Sequence, residues 1–216
     1  MAPPTIITIR EHIAWSYANL ARADAALEGG AMEYQRVHHI IRQRLYSGLV
    51  SGRMSMRSLY QDERLKMTVP QACYYCGSRD DLAVDHLIPR IKGGADESDN
   101  LIWACRRCNS SKQGRDMLEW MDAKSAFPSI LLLRRYVKIV ARRCDAEGCM
   151  ETELSRACEL GLPFDVSLLP TVSPRWLNCG AGCIRRRPEV PPLHARRQWI
   201  GSAGCGTVGR AGPRDR

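Results

Sequence analysis

Two Cys-x-x-Cys pairs constrain this chain more than any other feature. Cys73 and Cys76 form one pair, Cys105 and Cys108 the other, and 28 residues separate them. A CxxC turn sets two thiolates around one metal, and two such knuckles complete a tetrahedral zinc site. With all four positions filled by cysteine no coordination position stays open, which marks a structural zinc and excludes a zinc-dependent hydrolase built on these residues. The interval exceeds the roughly 15–20 residues usual between such pairs, so the staple holds something sizeable. The unit it closes, residues 70–122, has few large apolar side chains, and a metal is an effective substitute for a core of that size.

Ten cysteines occur in 216 residues. No basic flank followed by an apolar stretch opens the chain, so no export signal is read, a cytoplasmic location is expected, and metal ligation is favoured over disulfides. The other six cysteines show no ligand spacing and receive no role. No purely apolar run is longer than the five residues of Leu101 to Cys105, far short of the ~20 residues a membrane span needs. Net charge is +9, but residues 171–216 carry nine basic and two acidic residues and supply most of it. That tail is rich in Arg, Gly and Pro and lacks apolar periodicity, so disorder is expected. It reads equally as a nucleic-acid-binding tail or as a non-native C-terminus.

Four regions follow from the patterning: a helical hairpin region over 1–69, the cysteine-bracketed unit over 70–122, a helical region over 123–170 and the tail over 171–216. Thr8 and Glu11 have capping-box spacing and open a helix over 9–28 that Gly29 and Gly30 break. A second helix is expected over 31–46 with Val37, Ile40, Ile41 and Leu45 inward, and a short one over 56–64. Strands are expected at 82–84 and 101–104, a helix from Cys108 to about Met121, and another after Pro128 with Ile130, Leu133, Tyr136, Val137 and Val140 inward. Pro128 suits the first turn of that helix.

Between the knuckles the chain reads Leu82-Ala83-Val84-Asp85-His86, then Pro89-Arg90, Lys92-Gly93-Gly94 and Asp99-Asn100. Adjacent residues of a strand point to opposite sides, so Asp85 can hold a cation while His86 faces a water. Asn109 directly follows the metal ligand Cys108 at a helix start. Strand, loop, strand and helix thus converge Asp85, His86 and Asn109 on one frame.

The strings DHLIPRIKGG, DN and CRRCNSSK together resemble the HNH endonuclease family, whose fold is a ββα-metal unit. The likeness is greatest to the subgroup in which two CxxC knuckles bracket the motif, and it covers residues 71–122. The resemblance implies an α+β fold: a small zinc-stapled ββα-metal core flanked by helices. It implies His86 as the general base, Asp85 and Asn109 as ligands of a catalytic divalent metal, and Asn100 as the residue that ties down the loop and orients His86. Asn109 stands where the family name has its last histidine. The same variant occurs in the HNH domain of RNA-guided CRISPR effector nucleases. A carboxylate and an amide oxygen are hard donors that suit Mg²⁺ or Mn²⁺.

The expected activity is metal-dependent hydrolysis of DNA phosphodiester bonds. Lys112 and Arg115 lie three and six residues beyond Asn109, and either is a candidate phosphate clamp. Arg90, Lys92, Arg106 and Arg107 bracket the site as further candidate phosphate contacts. One such site cuts one strand, so a double-strand break needs a homodimer, a second nick or a protein partner. The alternative is a non-catalytic zinc-ribbon module that binds nucleic acid. It has no need of Asp85, His86, Asn100 and Asn109 together.

Overall fold

The computed structural model describes residues 3–56, 67 and 70–171. Helix α1 spans Ile9–Glu28. The Thr8 hydroxyl accepts from the Glu11 amide at 3.2 Å and the Glu11 carboxylate accepts from the Thr8 amide at 3.1 Å, the reciprocal cap that their spacing predicts. The turn after Gly29 places Gly30 at φ +61°, a conformation that favours glycine.

Helix α2 spans Arg36–Val50, starting later and ending later than its sequence pattern suggests. Its inward face also differs. Val37 and Ile40 are 51% and 41% exposed, whereas His38, Arg42, Tyr46 and Leu49 are buried. The reason lies on the facing helix. Trp15 of α1 receives the Arg42 guanidinium over its ring at 4.5 Å and the Tyr46 ring edge-on at 5.3 Å. These contacts hold a cationic and an aromatic side chain inward. The expected helix over 56–64 lies outside the described residues except for Met56, as does the expected disorder of the tail beyond residue 171.

Strands β1 (Leu82–His86) and β2 (Leu101–Cys105) form an antiparallel pair with Leu82 opposite Cys105, Asp85 opposite Ile102 and His86 opposite Leu101. The single helix expected after Cys108 is two: α3 at Arg106–Lys112 and α4 at Met117–Ala123. The chain breaks at Gln113, with φ +53°. Asp116 then accepts from the Leu118 amide at 2.8 Å to start α4, and the Tyr136 hydroxyl donates to the same carboxylate. Burial raises the Asp116 pKa, and the Tyr136 hydrogen bond opposes that rise.

Helix α5 (Ile130–Ala146) is capped by Ser129, whose hydroxyl accepts from the Leu132 amide at 3.3 Å. Pro128 therefore precedes the cap and is not in the first turn. Leu132, Leu133, Val137 and Val140 are fully buried against α1, where Ile9, Ile13 and Ala18 are equally enclosed. Each buried aliphatic side chain contributes about 1.5–3 kcal/mol. The start of α1 is clasped to the segment after α5. The Ile9 amide donates to the Thr152 carbonyl and the Leu154 amide to the Ile7 carbonyl, at 3.0 and 2.8 Å.

One contiguous cluster of buried residues joins these helices to Tyr75, Leu87, Ile88, Ile102 and Trp120 beside the strands. The architecture is α+β, a two-stranded sheet with its following helix set against a helical layer. Among the described residues no helix is long and apolar enough to cross a membrane.

Candidate active site and cysteine cluster

Cys73, Cys76, Cys105 and Cys108 converge with all four Sγ atoms within 4.8 Å of one another. Cys76 and Cys105 Sγ are 3.7 Å apart. A tetrahedral ion with Zn–S bonds of about 2.3 Å spaces its sulfurs about 3.8 Å apart, so the quartet fits zinc in donor type and in spacing. The first knuckle is a tight turn closed by the Gly77 amide on the Cys73 carbonyl at 2.7 Å, with Gly77 at φ +75°. The second straddles the end of β2 and the first turn of α3, so the strand-to-helix junction and the first knuckle share one anchor.

The loop between β1 and β2 is held by Asn100. Its Oδ1 accepts from the Ile88 amide at 2.8 Å. Its Nδ2 donates to the Ile88 and Ala95 carbonyls, both at 2.9 Å. The Leu87 amide completes the lock on the Asn100 carbonyl at 2.8 Å. A Cβ on Gly94 would lie 1.8 Å from the Ile88 carbonyl oxygen, so this close passage admits only glycine. From outside, the Arg135 guanidinium of α5 donates to the Asp99 carbonyl at 2.6 Å, and Arg142 pairs with Asp99 at 2.8 Å.

Asp85 and His86 leave β1 on opposite sides, as strand geometry requires. Asp85 is buried. Its Oδ1 accepts from the His86 amide at 2.8 Å and its Oδ2 from the Tyr75 hydroxyl at 2.7 Å. Lys112 Nζ bridges both oxygens at 3.3 and 3.2 Å and donates to the His86 carbonyl at 2.7 Å. Burial lowers the Lys112 pKa, opposed by the adjacent Asp85 charge. Burial, then Asp85, pushes the Tyr75 hydroxyl well above its ordinary range.

His86 keeps a fifth of its side chain exposed, and its Nε2 lies 2.9 Å from Asp96 Oδ1. The hydrogen bond to His86 lowers the Asp96 pKa, and its other contributions are smaller. With Nε2 as the donor to this carboxylate, Nδ1 is the nitrogen left with a lone pair.

Helix α3 begins at Arg106, so Asn109 lies in the middle of the helix and not at its start as expected; it is half-buried, and its Nδ2 donates to the Val84 carbonyl at 3.4 Å. Lys112 and Arg115 are placed unlike phosphate clamps. Lys112 is fully enclosed against Asp85, because an aliphatic stem on the inner face of α3 delivers its ammonium to that buried carboxylate, with buried Asp116 also close enough to act on its charge. Arg115 folds back onto the Ser111 and Lys112 carbonyls. Arg90, Lys92, Arg106 and Arg107 are exposed.

Two members of the site escape the sequence pattern. Tyr75 sits inside the first knuckle, where its ring packs edge-on against Trp120 at 4.9 Å. Asp96 meets His86 only because the Gly93-Gly94 turn folds the loop back. The knuckle's Cys-Tyr-Tyr-Cys composition offered a hint of the first, and nothing local signalled the second.

The site is thus a ββα unit bracketed by two cysteine knuckles that could hold zinc, with a histidine on its first strand. Residues 73–115 match the HNH endonuclease family model, and this segment of the chain is an HNH domain. No curated protein and no solved structure matches the chain. Proteins of this family are in general nucleases, which act on nucleic acid.

Proposed function

We propose that the protein is a metal-dependent endonuclease that hydrolyses DNA phosphodiester bonds, with His86 as general base. The observation that carries this reading is the His86–Asp96 pair, an imidazole one-fifth exposed whose Nε2 is engaged by a carboxylate at 2.9 Å. Asp96 fixes the tautomer and supports the imidazolium formed when Nδ1 takes a proton from the attacking water. Collapse at phosphorus then releases the 3′ oxygen and leaves 5′-phosphate and 3′-hydroxyl ends. Asn100 holds the loop that carries Asp96, so its part in the chemistry is positional.

The oxygen donors of Asp85 and Asn109 fit a hard divalent cation, Mg²⁺ or Mn²⁺. Bound there, such an ion supplies charge neutralisation at the scissile phosphate and at the departing oxygen. Lys112 already neutralises Asp85 and has to yield that place. Exposed Arg90, Lys92, Arg106 and Arg107 flank the site and hold the DNA backbone through salt-sensitive contacts.

The Lys112–Asp85 bridge also favours a second reading, a zinc-ribbon module that binds nucleic acid without cutting it. Cleavage of supercoiled plasmid separates the two. With Mg²⁺ or Mn²⁺ the wild type nicks or linearises the plasmid, and His86→Ala loses about 10²- to 10⁴-fold in rate with its zinc content unchanged. A His86→Ala protein that cuts as fast as wild type removes the role of that residue. A folded, zinc-loaded wild type that binds plasmid without cutting it supports the second reading.

A further inference from the structure

The α1–α2 hairpin buries two positive charges with no negative partner among the described residues. Arg22 and Arg42 are 6% and 8% exposed, and neither makes an ion pair with a described residue. Nε of each is buried and has no hydrogen-bond partner. Each guanidinium lies on an aromatic face instead, Arg22 over Tyr34 at 4.1 Å and Arg42 over Trp15 at 4.5 Å. Asn19 Oδ1 accepts from Arg42 at 3.4 Å.

The two charges feel each other. Burial lowers the Arg42 pKa, and the neighbouring Arg22 charge lowers it further. His39, at the half-buried rim beside Tyr34, is lowered first by burial and then by both arginines. Of the acidic side chains of the same helix, Glu11 is committed to the cap of α1 and Asp24 to Arg134, and Glu28 at its last position is exposed. His38 Nδ1 accepts from the Gln35 amide at 3.0 Å, which leaves His39 as the outer member of the cluster.

Aromatic faces orient guanidinium planes and leave their edges, where the N–H donors lie, for a planar or tetrahedral oxyanion. Burying like charges together is costly unless a counter-charge completes the site. We propose that Arg22 and Arg42, flanked by Tyr34 and His39, form a phosphate-binding site on the helical hairpin, separate from the HNH domain. Its ligand is a phosphate oxyanion, carried either by a nucleic-acid backbone or by a small phosphate compound. The proposal does not rest on the nuclease reading, since it concerns other residues and a binding readout.

The test uses the full-length protein in phosphate-free buffer, with ¹⁵N-detected arginine Nε–Hε resonances assigned by substitution. Inorganic phosphate and a short DNA duplex without divalent salt are titrated separately. A saturable shift of the Arg22 and Arg42 resonances by phosphate, with a rise in Tm, supports a site for small phosphates. A shift by duplex alone supports a backbone site. Arg42→Gln is then expected to weaken the effective probe by about tenfold or more. For duplex it also reduces the salt slope by about one contact. Arg42→Lys retains charge without the fork and falls between. Wild-type resonances that neither probe moves overturn the proposal, whatever the variants do. So does Arg42→Gln binding with wild-type affinity.

Discussion

The helical layer and the HNH domain reach order by different means. In the helical layer, α1 and α5 bury a continuous stripe of Ile, Leu and Val, and each turn adds apolar area. The HNH domain has two five-residue strands, and of Leu, Ile, Val and Ala side chains it buries Leu87, Ile88, Ile102 and Ala104 along or just after them. A two-stranded sheet is marginal in water. Four thiols, the Asn100 lock and the Tyr75–Asp85–Lys112 cluster take the place of a core. The comparison teaches a division of labour. The helices supply stability that asks nothing of chemistry, and the site is assembled from polar groups whose positions matter more than their burial.

The largest expected effect is on the metal. Binding of zinc by four cysteines is worth about 10 kcal/mol or more to small units of this kind. Stripping the metal, or Cys105→Ser, is expected to unfold residues 73–115 and abolish nucleic-acid cleavage. Most of the helical circular dichroism from α1, α2 and α5 is expected to survive. Simultaneous loss of all helical signal would break the comparison, because the helical layer would then depend on the knuckles.

Next in size is an acid sensitivity that belongs to the helical layer. His12 of α1 is 1% exposed, and burial lowers its pKa from 6.5 to about 4. Between those values the unfolded chain binds a proton that the folded chain refuses, so stability falls as pH drops from 6.5 and levels off near 4. The total is about 3 kcal/mol. Urea unfolding of the helical signal at pH 7 and at pH 4.5 measures it. His12→Phe is expected to flatten the dependence, and an unchanged slope in that variant would assign it to other groups.

The smallest effect sharpens the comparison inside the site. Asp96 is exposed, so its pairing with His86 is screened by solvent and adds little to folding. Asp96→Asn is expected to leave Tm unchanged and to slow cleavage about tenfold through kcat. Asp96→Glu is expected to recover part of the rate. A loss of Tm without loss of rate would make Asp96 a structural residue.

Much of this was legible beforehand because some signals are local. Cysteine spacing is read directly, and the thiols do converge. Thr8 and Glu11 contact each other within one turn, so their cap is visible in four residues. The inward face of α5 follows from periodicity, since Leu133, Tyr136, Val137 and Val140 are apolar and buried. The inward face of α2 was not legible. Apolar spacing favours Val37 and Ile40, and only the presence of Trp15 across the hairpin makes Arg42 the better inward residue. The break at Gln113 was equally hidden, because it is enforced by Asp116 receiving Tyr136 from a helix that comes later.

By itself, then, the sequence determined which groups are available and where short-range geometry places them: four thiols in two knuckles, a carboxylate and an imidazole on opposite sides of one strand, and a glycine where no Cβ fits. Only the tertiary structure decided which charges meet. It gave Asp85 to Lys112 and Tyr75, His86 to Asp96, and left Arg22 and Arg42 without a carboxylate among the described residues. The physical reason is range. Capping, alternation and knuckle turns act over a few bonds, whereas the partner of a charge is whichever group the fold brings within a few ångströms, however far away it lies along the chain.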